Sequence, residues 1–146
     1  MATQDNPTTL YQTDNLQVPA SQVVLIYTEW NEPILRELMN GAKRILSAYP
    51  QVSVSAHQVP GCVEIPCVIR GETPHFDYVC QSVTQGITTL NTQLDSPVIF
   101  GVLTVNSEEQ AYDRIGGRHG HKGEEAALAA LKMIALNHSF TNESSE

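Results

Sequence analysis

CVIRGETPHFDYV, residues 67–79, joins a strand, a turn and a helix within thirteen residues and decides how the rest of the fold is read. Its β-branched first residues predict a short strand, and Gly71 predicts the turn after it. Thr73 is a favoured N-cap residue and Pro74 suits the first helical position, so we expect a helix to begin there. Such a turn presents free N–H groups and the positive end of a helix dipole, which predicts a phosphate site.

His75 lies in the first turn of this predicted helix, within reach of whatever the turn holds. A histidine there could carry protons near neutral pH, although the same position also suits a surface or capping residue. The apolar residues of the helix repeat at helical spacing and predict a buried face made of Val79, Cys80, Val83, Ile87 and Leu90.

The composition is that of a single soluble domain, with 146 residues of which 41% are hydrophobic and 16% charged. The net charge of −8 argues against general nucleic-acid binding, because phosphate backbones require clustered Lys and Arg. No apolar stretch is long enough to cross a bilayer, and the N-terminus lacks a signal-peptide pattern. Three cysteines without a CxxC pair predict a reduced protein. We therefore expect a cytoplasmic protein without a membrane or nucleic-acid partner.

Strands and helices alternate along the chain. Apolar runs predict strands over residues 22–28, 52–59 and 97–104, the first of them covered on both faces. Helical spacing predicts helices over residues 34–46 and 124–136, and Ser107 with Gln110 has the capping-box spacing that opens a short helix reaching Ile115. This alternation predicts an α/β fold whose mostly parallel sheet carries helices on both faces.

Polar segments flank the predicted domain. We expect residues 1–20 and 138–146 to be tails and residues 21–137 to form the domain. One connection is too short for this topology, because only a few residues separate the strand ending at Val59 from the one starting near Cys67. A parallel crossover needs a dozen or more residues, normally a helix.

The loops after the strands collect the candidate site residues, because doubly wound sheets bind ligands at the carboxyl ends of their strands. These loops contain Trp30 and Asn31, the segment from Gly61 to Glu64, the segment from Gly71 to His75, and the region leading to Arg114. An aromatic ring, a carboxylate, an anion-binding turn, a histidine and a guanidinium together suit a ligand with a ring, hydroxyls and a phosphate.

Each candidate also has an ordinary structural interpretation. Trp30 could fill a core or an interface, Glu64 could be solvated, and Arg114 could belong to a surface ion pair. His119 and His121 beside Lys122 suggest a metal site, but they have no cysteine or acidic partners at ligand spacing. We therefore predict no metal.

Four segments identify a resemblance: VPGCVEIP (59–66), VIRGETPHFDYVC (68–80), PVIFGVLT (97–104) and EEQAYDRIGGRHGHKGEEAALAAL (108–131). They closely resemble the 6,7-dimethyl-8-ribityllumazine synthase family, over residues 23 to 136. The resemblance implies a flavodoxin-like three-layer α/β/α sandwich that assembles into pentamers, decamers or icosahedral 60-mer capsids. It also implies the penultimate step of riboflavin biosynthesis, a transferase reaction without cofactor. The substrates would be 5-amino-6-(D-ribitylamino)uracil and 3,4-dihydroxy-2-butanone 4-phosphate.

The resemblance assigns roles to individual residues. Trp30 would stack on the pyrimidine beside Asn31, Glu64 would meet the ribityl chain, and His75 would carry protons. Phosphate would lie at Gly71, Glu72 and Thr73, and Arg114 would reach it from the adjacent subunit with Lys122 nearby. Further pocket residues would be Gly61, Cys62, Val63, Val68, Ile69, Phe100 and, beside Arg114, Glu125.

This chain departs from the family pattern in one large way. Family members place a helix and a central strand before CVIRGET, whereas here Pro66 runs directly into Cys67, so about twenty residues are missing. The missing segment and Trp30, which replaces the commoner Phe, favour an alternative, a non-catalytic flavin-binding or shell-forming relative. A monomeric phosphate-binding module is a third alternative.

Overall fold

A computed structural model describes residues 16–61 and 67–143. In chain order the strands are β1 (Ser21–Thr28), β2 (Val52–Val59), β3 (Val68–Ile69), β4 (Thr104–Val105), β5 (Ile115–Gly117) and β6 (Gly120–His121). The helices are α1 (Glu32–Leu46), α2 (His75–Gln93), α3 (Glu108–Asp113) and α4 (Lys122–Glu143). The predicted α/β class is confirmed, and none of the described helices is long and apolar enough to cross a membrane.

The strands form separate pairs rather than one sheet. β1 pairs in parallel with β2, from Ser21 opposite Val52 to Thr28 opposite Val59, and β3 pairs in parallel with β4. The strands of both pairs are parallel as predicted, and among the described residues no ladder joins the two pairs. The physical reason is the length of β3, which has only two residues. It pairs with β4 on one side and is too short to pair with β1 on the other.

Residues 97–103 show the same effect. We predicted a strand over 97–104, but only Thr104 of that run is in β4. A strand requires hydrogen-bonded neighbours, and β3 pairs only with Thr104 and Val105, apart from the Val68 N–H, which donates to the Leu103 carbonyl. The backbone of Val98 bonds instead to the side chain of Asn91, which donates to the Val98 carbonyl at 2.8 Å and accepts from its N–H at 2.9 Å.

β3 and β4 lie between two helices. Cys67, Leu103 and Val105 pack with residues of α1, whereas Val68 and Val102 pack with α2. Because successive side chains of a strand point to opposite faces, α1 and α2 cover opposite faces of this pair. The buried face of α2 consists of Val79, Val83 and Ile87 as predicted, whereas Leu90 at the far end is exposed.

The face of β1 that does not carry α1 and α4 is uncovered. Val24 is 50% exposed and Ile26 is 45% exposed, so the prediction of a strand buried on both faces is wrong. Val23 and Leu25 on the other face pack against the cluster formed with α1 and α4. The described part of the chain supplies no helix for the exposed face.

α1 and α4 pack closely through two glycines. A Cβ added to Gly123 would lie 2.8 Å from the Leu38 carbonyl carbon and closer still to its oxygen. A Cβ added to Gly41 would lie 2.5 Å from Nδ1 of the buried His121 ring. Along the same contact Ala42 and Leu46 meet Ala127 and Leu131. These positions therefore accept only glycine without movement of a helix or of the His121 ring.

Helix boundaries differ from the predictions in two places. α2 begins at His75 with Pro74 in the N-cap position and no side-chain cap, so Thr73 is not the N-cap. α4 continues to Glu143, so residues 138–143 are helical rather than part of a tail. At α3 the predicted cap is confirmed, since the Ser107 hydroxyl accepts from the Gln110 N–H.

Predictions for the N-terminal tail can be compared only from Leu16 onward. Residues 1–15, 62–66 and 144–146 lie outside the described residues. Leu16 and Val18 join the cluster between α1 and α4, and Val18 is only 8% exposed. The folded region therefore begins before the predicted boundary at residue 21.

A cavity of about 830 Å³ lies between the two parallel pairs. Residues 21–27 of β1 line one side, residues 95–99 and 101–103 line the other, and α1 and α4 contribute Leu38, Ala42, Ala127 and Ala130. None of the predicted site residues that the structure describes lines it.

Candidate active site

The predicted phosphate turn is open to solvent at the end of β3. Gly71, Glu72 and Thr73 are exposed, and an added Cβ at Gly71 would meet nothing within 4 Å. α2 begins directly afterwards, so its unpaired N–H groups and positive dipole end face the turn. His75, the first residue of α2, is exposed beside them. The turn and the histidine therefore adjoin.

Arg70 is a component of this region that we did not select from the sequence. Its Nη2 and Nη1 donate to Asp77 at 2.7 and 3.3 Å, and its Nε donates to the Asn106 side chain at 3.0 Å. The guanidinium also lies 4.1 Å from the centre of the Phe76 ring. The hydrogen bond from Arg70 lowers the pKa of Asp77. A cation is thus fixed beside the turn, and its only sequence signal was an arginine directly before Gly71.

Trp30 and Asn31 lie at the carboxyl end of β1. Trp30 is 65% exposed, and its indole Nε1 donates to the Pro60 carbonyl at 3.1 Å. Asn31 adopts a left-handed backbone conformation with φ 58°, and its Nδ2 donates to the Cys67 carbonyl at 3.2 Å. These two bonds tie the loop after β1 to the end of β2 and to Cys67, the residue before β3. Gly61 follows at the end of β2, whereas Cys62, Val63 and Glu64 lie outside the described residues.

Arg114 and Glu125 form a two-point ion pair. Arg114 Nη1 and Nη2 each donate to a carboxylate oxygen of Glu125 at 2.7 Å, and Lys122 Nζ lies 3.9 Å from the same carboxylate. Arg114 Nη1 also donates to the His119 carbonyl. The Nε–H of Arg114 has no partner within the described part of the chain, so one edge of the guanidinium can still bind an anion.

The β5–β6 hairpin positions this ion pair. Gly116 and Gly120 have φ values of 111° and 78°, which glycine adopts at little cost. Ile115, next to Arg114, packs against the cluster that contains Cys67 and Val105. Arg114 therefore lies near the β3–β4 edge of the fold.

The remaining predicted residues have other surroundings. Val68 and Phe100 pack against the buried face of α2, and Ile69 packs on the α1 side. His121 is 4% exposed, with Nε2 3.4 Å from Glu37 and Nδ1 without a hydrogen-bond partner. Its ring fills the space above Gly41, which gives it a packing role between α1 and α4.

The arrangement suits binding and proton transfer rather than nucleophilic catalysis. A helix N-terminus and an exposed histidine adjoin, an exposed aromatic ring follows β1, and the Arg114 guanidinium has an open edge. The thiol of Cys67 is buried, and burial raises its pKa to about 11, so it is no nucleophile at neutral pH.

Comparison with known proteins identifies the family. The sequence model of 6,7-dimethyl-8-ribityllumazine synthase matches residues 66–138. Curated synthases of that name include one from Cytophaga hutchinsonii, 42% identical over 132 residues that cover 76% of this chain and 83% of the relative. The Flavobacterium johnsoniae synthase is 51% identical over 119 residues, which cover 82% of this chain and 56% of the relative. The Porphyromonas gingivalis synthase is 43% identical over 136 residues, which cover 79% of this chain and 84% of the relative.

The alignment with the Cytophaga hutchinsonii synthase is longer than the part of this chain that it covers. It spans 132 positions but only 76% of the 146 residues, about 111, so about 21 positions have no residue here. The family-model match begins at residue 66, next to the junction where the sequence predicts a missing segment. The chain belongs to the 6,7-dimethyl-8-ribityllumazine synthase family.

Proposed function

We propose that this chain condenses 5-amino-6-(D-ribitylamino)uracil with 3,4-dihydroxy-2-butanone 4-phosphate to give 6,7-dimethyl-8-ribityllumazine, inorganic phosphate and water. The observation that carries the proposal is the exposed Gly71–Thr73 turn at the N-terminus of α2 with His75 directly beside it. A flat ring, an anion and a proton carrier are the three things this condensation needs from a protein. The names of the relatives favour the synthase over a non-catalytic relative.

The residues divide between the two substrates. Trp30 stacks on the pyrimidine, with Asn31 and Glu64 toward the polar groups of the ring and the ribityl chain. The N–H groups at Gly71, Glu72 and Thr73 hold the phosphate, and Arg70 strengthens the positive potential beside them. Arg114 binds the same phosphate through its open edge while Glu125 fixes the guanidinium plane.

The chemistry requires proton transfer at every step. The amine attacks the ketone and loses water to form an imine, phosphate leaves, and the second nitrogen closes the ring with loss of another water. His75 takes and returns these protons. Holding the two substrates together supplies much of the remaining acceleration.

We place the enzyme in the cytoplasm as a homo-oligomer, a pentamer that can build larger shells. The turn and Trp30 are open to solvent, so each site has room for a wall from a neighbouring subunit, which would contribute Phe100, Arg114 and Lys122. Sedimentation velocity tests this part. A protein that remains monomeric at assay concentration would contradict it.

Product formation tests the function itself. We expect lumazine fluorescence to appear only when both substrates are present. The His75→Ala variant should be slower by up to about 10²-fold without losing all activity. His57→Ala is the matched control, because His57 is equally exposed but lies in β2. Full activity of His75→Ala would overturn the proton-carrier role, and yellow protein without turnover would favour the flavin-binding alternative.

A further inference from the structure

The cavity between the two parallel pairs has the shape of a strand position. Residues 21–27 of β1 form one side, and residues 97–103, which lead into β4, lie on the other. Neighbouring strands lie about 4.8 Å apart, so a strand that pairs with both sides needs them to be about 9.6 Å apart. Cys67, the residue before β3, also lines the cavity. A strand lying there would therefore extend the line of β3 backward, parallel to β4.

The edge of β1 that faces away from β2 has unused backbone groups, whereas residues 97–103 are only partly free, because Gly101 donates to the Ile99 carbonyl and Leu103 accepts from the Val68 N–H. Within residues 16–61 and 67–143, no backbone hydrogen bond joins β1 to residues 97–103. β1 uses the edge that faces β2, and every second residue of a strand directs its N–H and C=O to the opposite edge. An aliphatic ligand would leave these groups unpaired, which is costly in an apolar site. An extended peptide would pair with them.

The exposed face of β1 and β2 gives the second half of the site. Val24, Ile26 and Val54 are 50%, 45% and 39% exposed and form an apolar surface beside the cavity. About 21 positions of the alignment with the Cytophaga hutchinsonii synthase have no residue in this chain. A strand that pairs with residues 21–27 would use about seven of these positions. The remaining fourteen or so suffice for a connecting turn and a helix of about 15 Å, at 1.5 Å per residue, which would cover this surface.

We propose that this cavity and the adjoining face of β1 and β2 bind a separate peptide that consists of an amphipathic helix followed by an apolar strand. The strand inserts between β1 and residues 97–103 by backbone pairing, and the helix covers Val24, Ile26 and Val54. The lining is apolar apart from the ends, so alternating apolar side chains of the strand determine specificity. The proposal does not depend on catalysis.

A peptide titration with the full chain tests the proposal. The probe is a fluorescent synthetic peptide. Its sequence is the part of the Cytophaga hutchinsonii synthase that has no counterpart in this chain. Fluorescence anisotropy should show saturable binding. Hydrogen–deuterium exchange should show new protection in β1 and in residues 97–103 together. A scrambled peptide should bind at least about tenfold more weakly, because it cannot place its apolar side chains in the cavity.

Two protein variants localise the binding. Ala130→Trp fills the cavity and should weaken binding by about tenfold or more. Ala48→Trp makes the same change on an exposed residue that does not line the cavity and should leave binding unchanged. Equal binding of the scrambled peptide, no saturable binding up to about 0.1 mM, or protection at only one side of the cavity would overturn the proposal. Binding of fatty acids without binding of the peptide would overturn it as well.

Discussion

Gly123 sets the distance between α1 and α4, and its replacement by alanine is a sharp test of the fold. The new Cβ would lie 2.8 Å from the carbonyl carbon and 3.0 Å from the Cα of Leu38, so backbone rather than a flexible side chain must move. Overpacking of this kind costs about 1–3 kcal/mol. At roughly 3 °C per kcal/mol for a chain of this size, we expect Gly123→Ala to lower Tm by about 3–9 °C.

Gly86→Ala is the matched control within the same protein. Gly86 lies on the exposed side of α2, and an added Cβ there meets nothing within 4 Å. Because alanine favours a helix over glycine by about 1 kcal/mol, this variant should raise Tm by roughly 3 °C. The same substitution in two helices thus has opposite signs.

Thermal unfolding followed by circular dichroism and by calorimetry measures both effects. Gly123 lies two residues before Glu125 in α4. If the added Cβ pushes α4 away from α1, the Arg114–Glu125 ion pair should weaken. We therefore expect activity to fall even at temperatures where the variant is fully folded. If Gly123→Ala and Gly86→Ala both raise Tm, the close α1–α4 contact does not exist and the explanation is refuted.

Three further perturbations concern the site. Arg114→Ala should raise KM for the phosphate substrate more than for the pyrimidine substrate, and steady-state kinetics showing an unchanged phosphate-substrate KM would exclude phosphate binding by Arg114. Cys67 should resist iodoacetamide at pH 8 in the folded protein, because burial raises its pKa to about 11, and mass spectrometry should find it labelled only after denaturation. Asp77 is stabilised as the anion, since the Arg70 hydrogen bond lowers its pKa below 3.8. Its contribution to stability is present above pH 3.8 and is lost as the pH falls through the lower folded pKa, so Asp77→Asn should flatten the acid limb of Tm against pH. An unaltered acid limb in Asp77→Asn would contradict this coupling.

Local sequence signals predicted the elements that form through local contacts. The spacing of apolar residues predicted α1 and the buried face of α2, and the Ser107 cap followed from a four-residue pattern. The predicted strand over residues 97–103 does not form. Their apolar, β-branched sequence gives only a preference for extended backbone, whereas a strand needs a partner elsewhere in the chain. The short link before Cys67 indicated that a partner strand is missing. Which distant residues lose their pairing as a result depends on the tertiary structure and cannot be inferred from local sequence.

The surroundings of the candidate site residues were predictable in part. The exposure of the Gly71 turn and of Trp30 agrees with their positions after strands, and the proximity of Arg114 and Glu125 was implied only by the family resemblance. Arg70 follows β3 and Asp77 lies in α2, so no periodic pattern within one element pointed to their ion pair. The helical extension of α4 past Leu136 was missed because polar residues on an exposed helix face resemble a tail. There Ser139 donates from its hydroxyl to the Leu136 carbonyl at 2.7 Å.

The contact between α1 and α4 has a consequence for synthesis of the chain. Ala42 and Leu46 are buried by Ala127 and Leu131, residues that the ribosome adds 85 positions after each of them. At roughly 5–20 residues per second, the nascent chain therefore carries an uncovered apolar helix for on the order of ten seconds. One face of β1 is also uncovered until α4 is made, because Val23 and Leu25 pack into the same cluster. During this interval the apolar faces of α1 and β1 that pack against α4 stay exposed, and they are buried only when the last helix has been made.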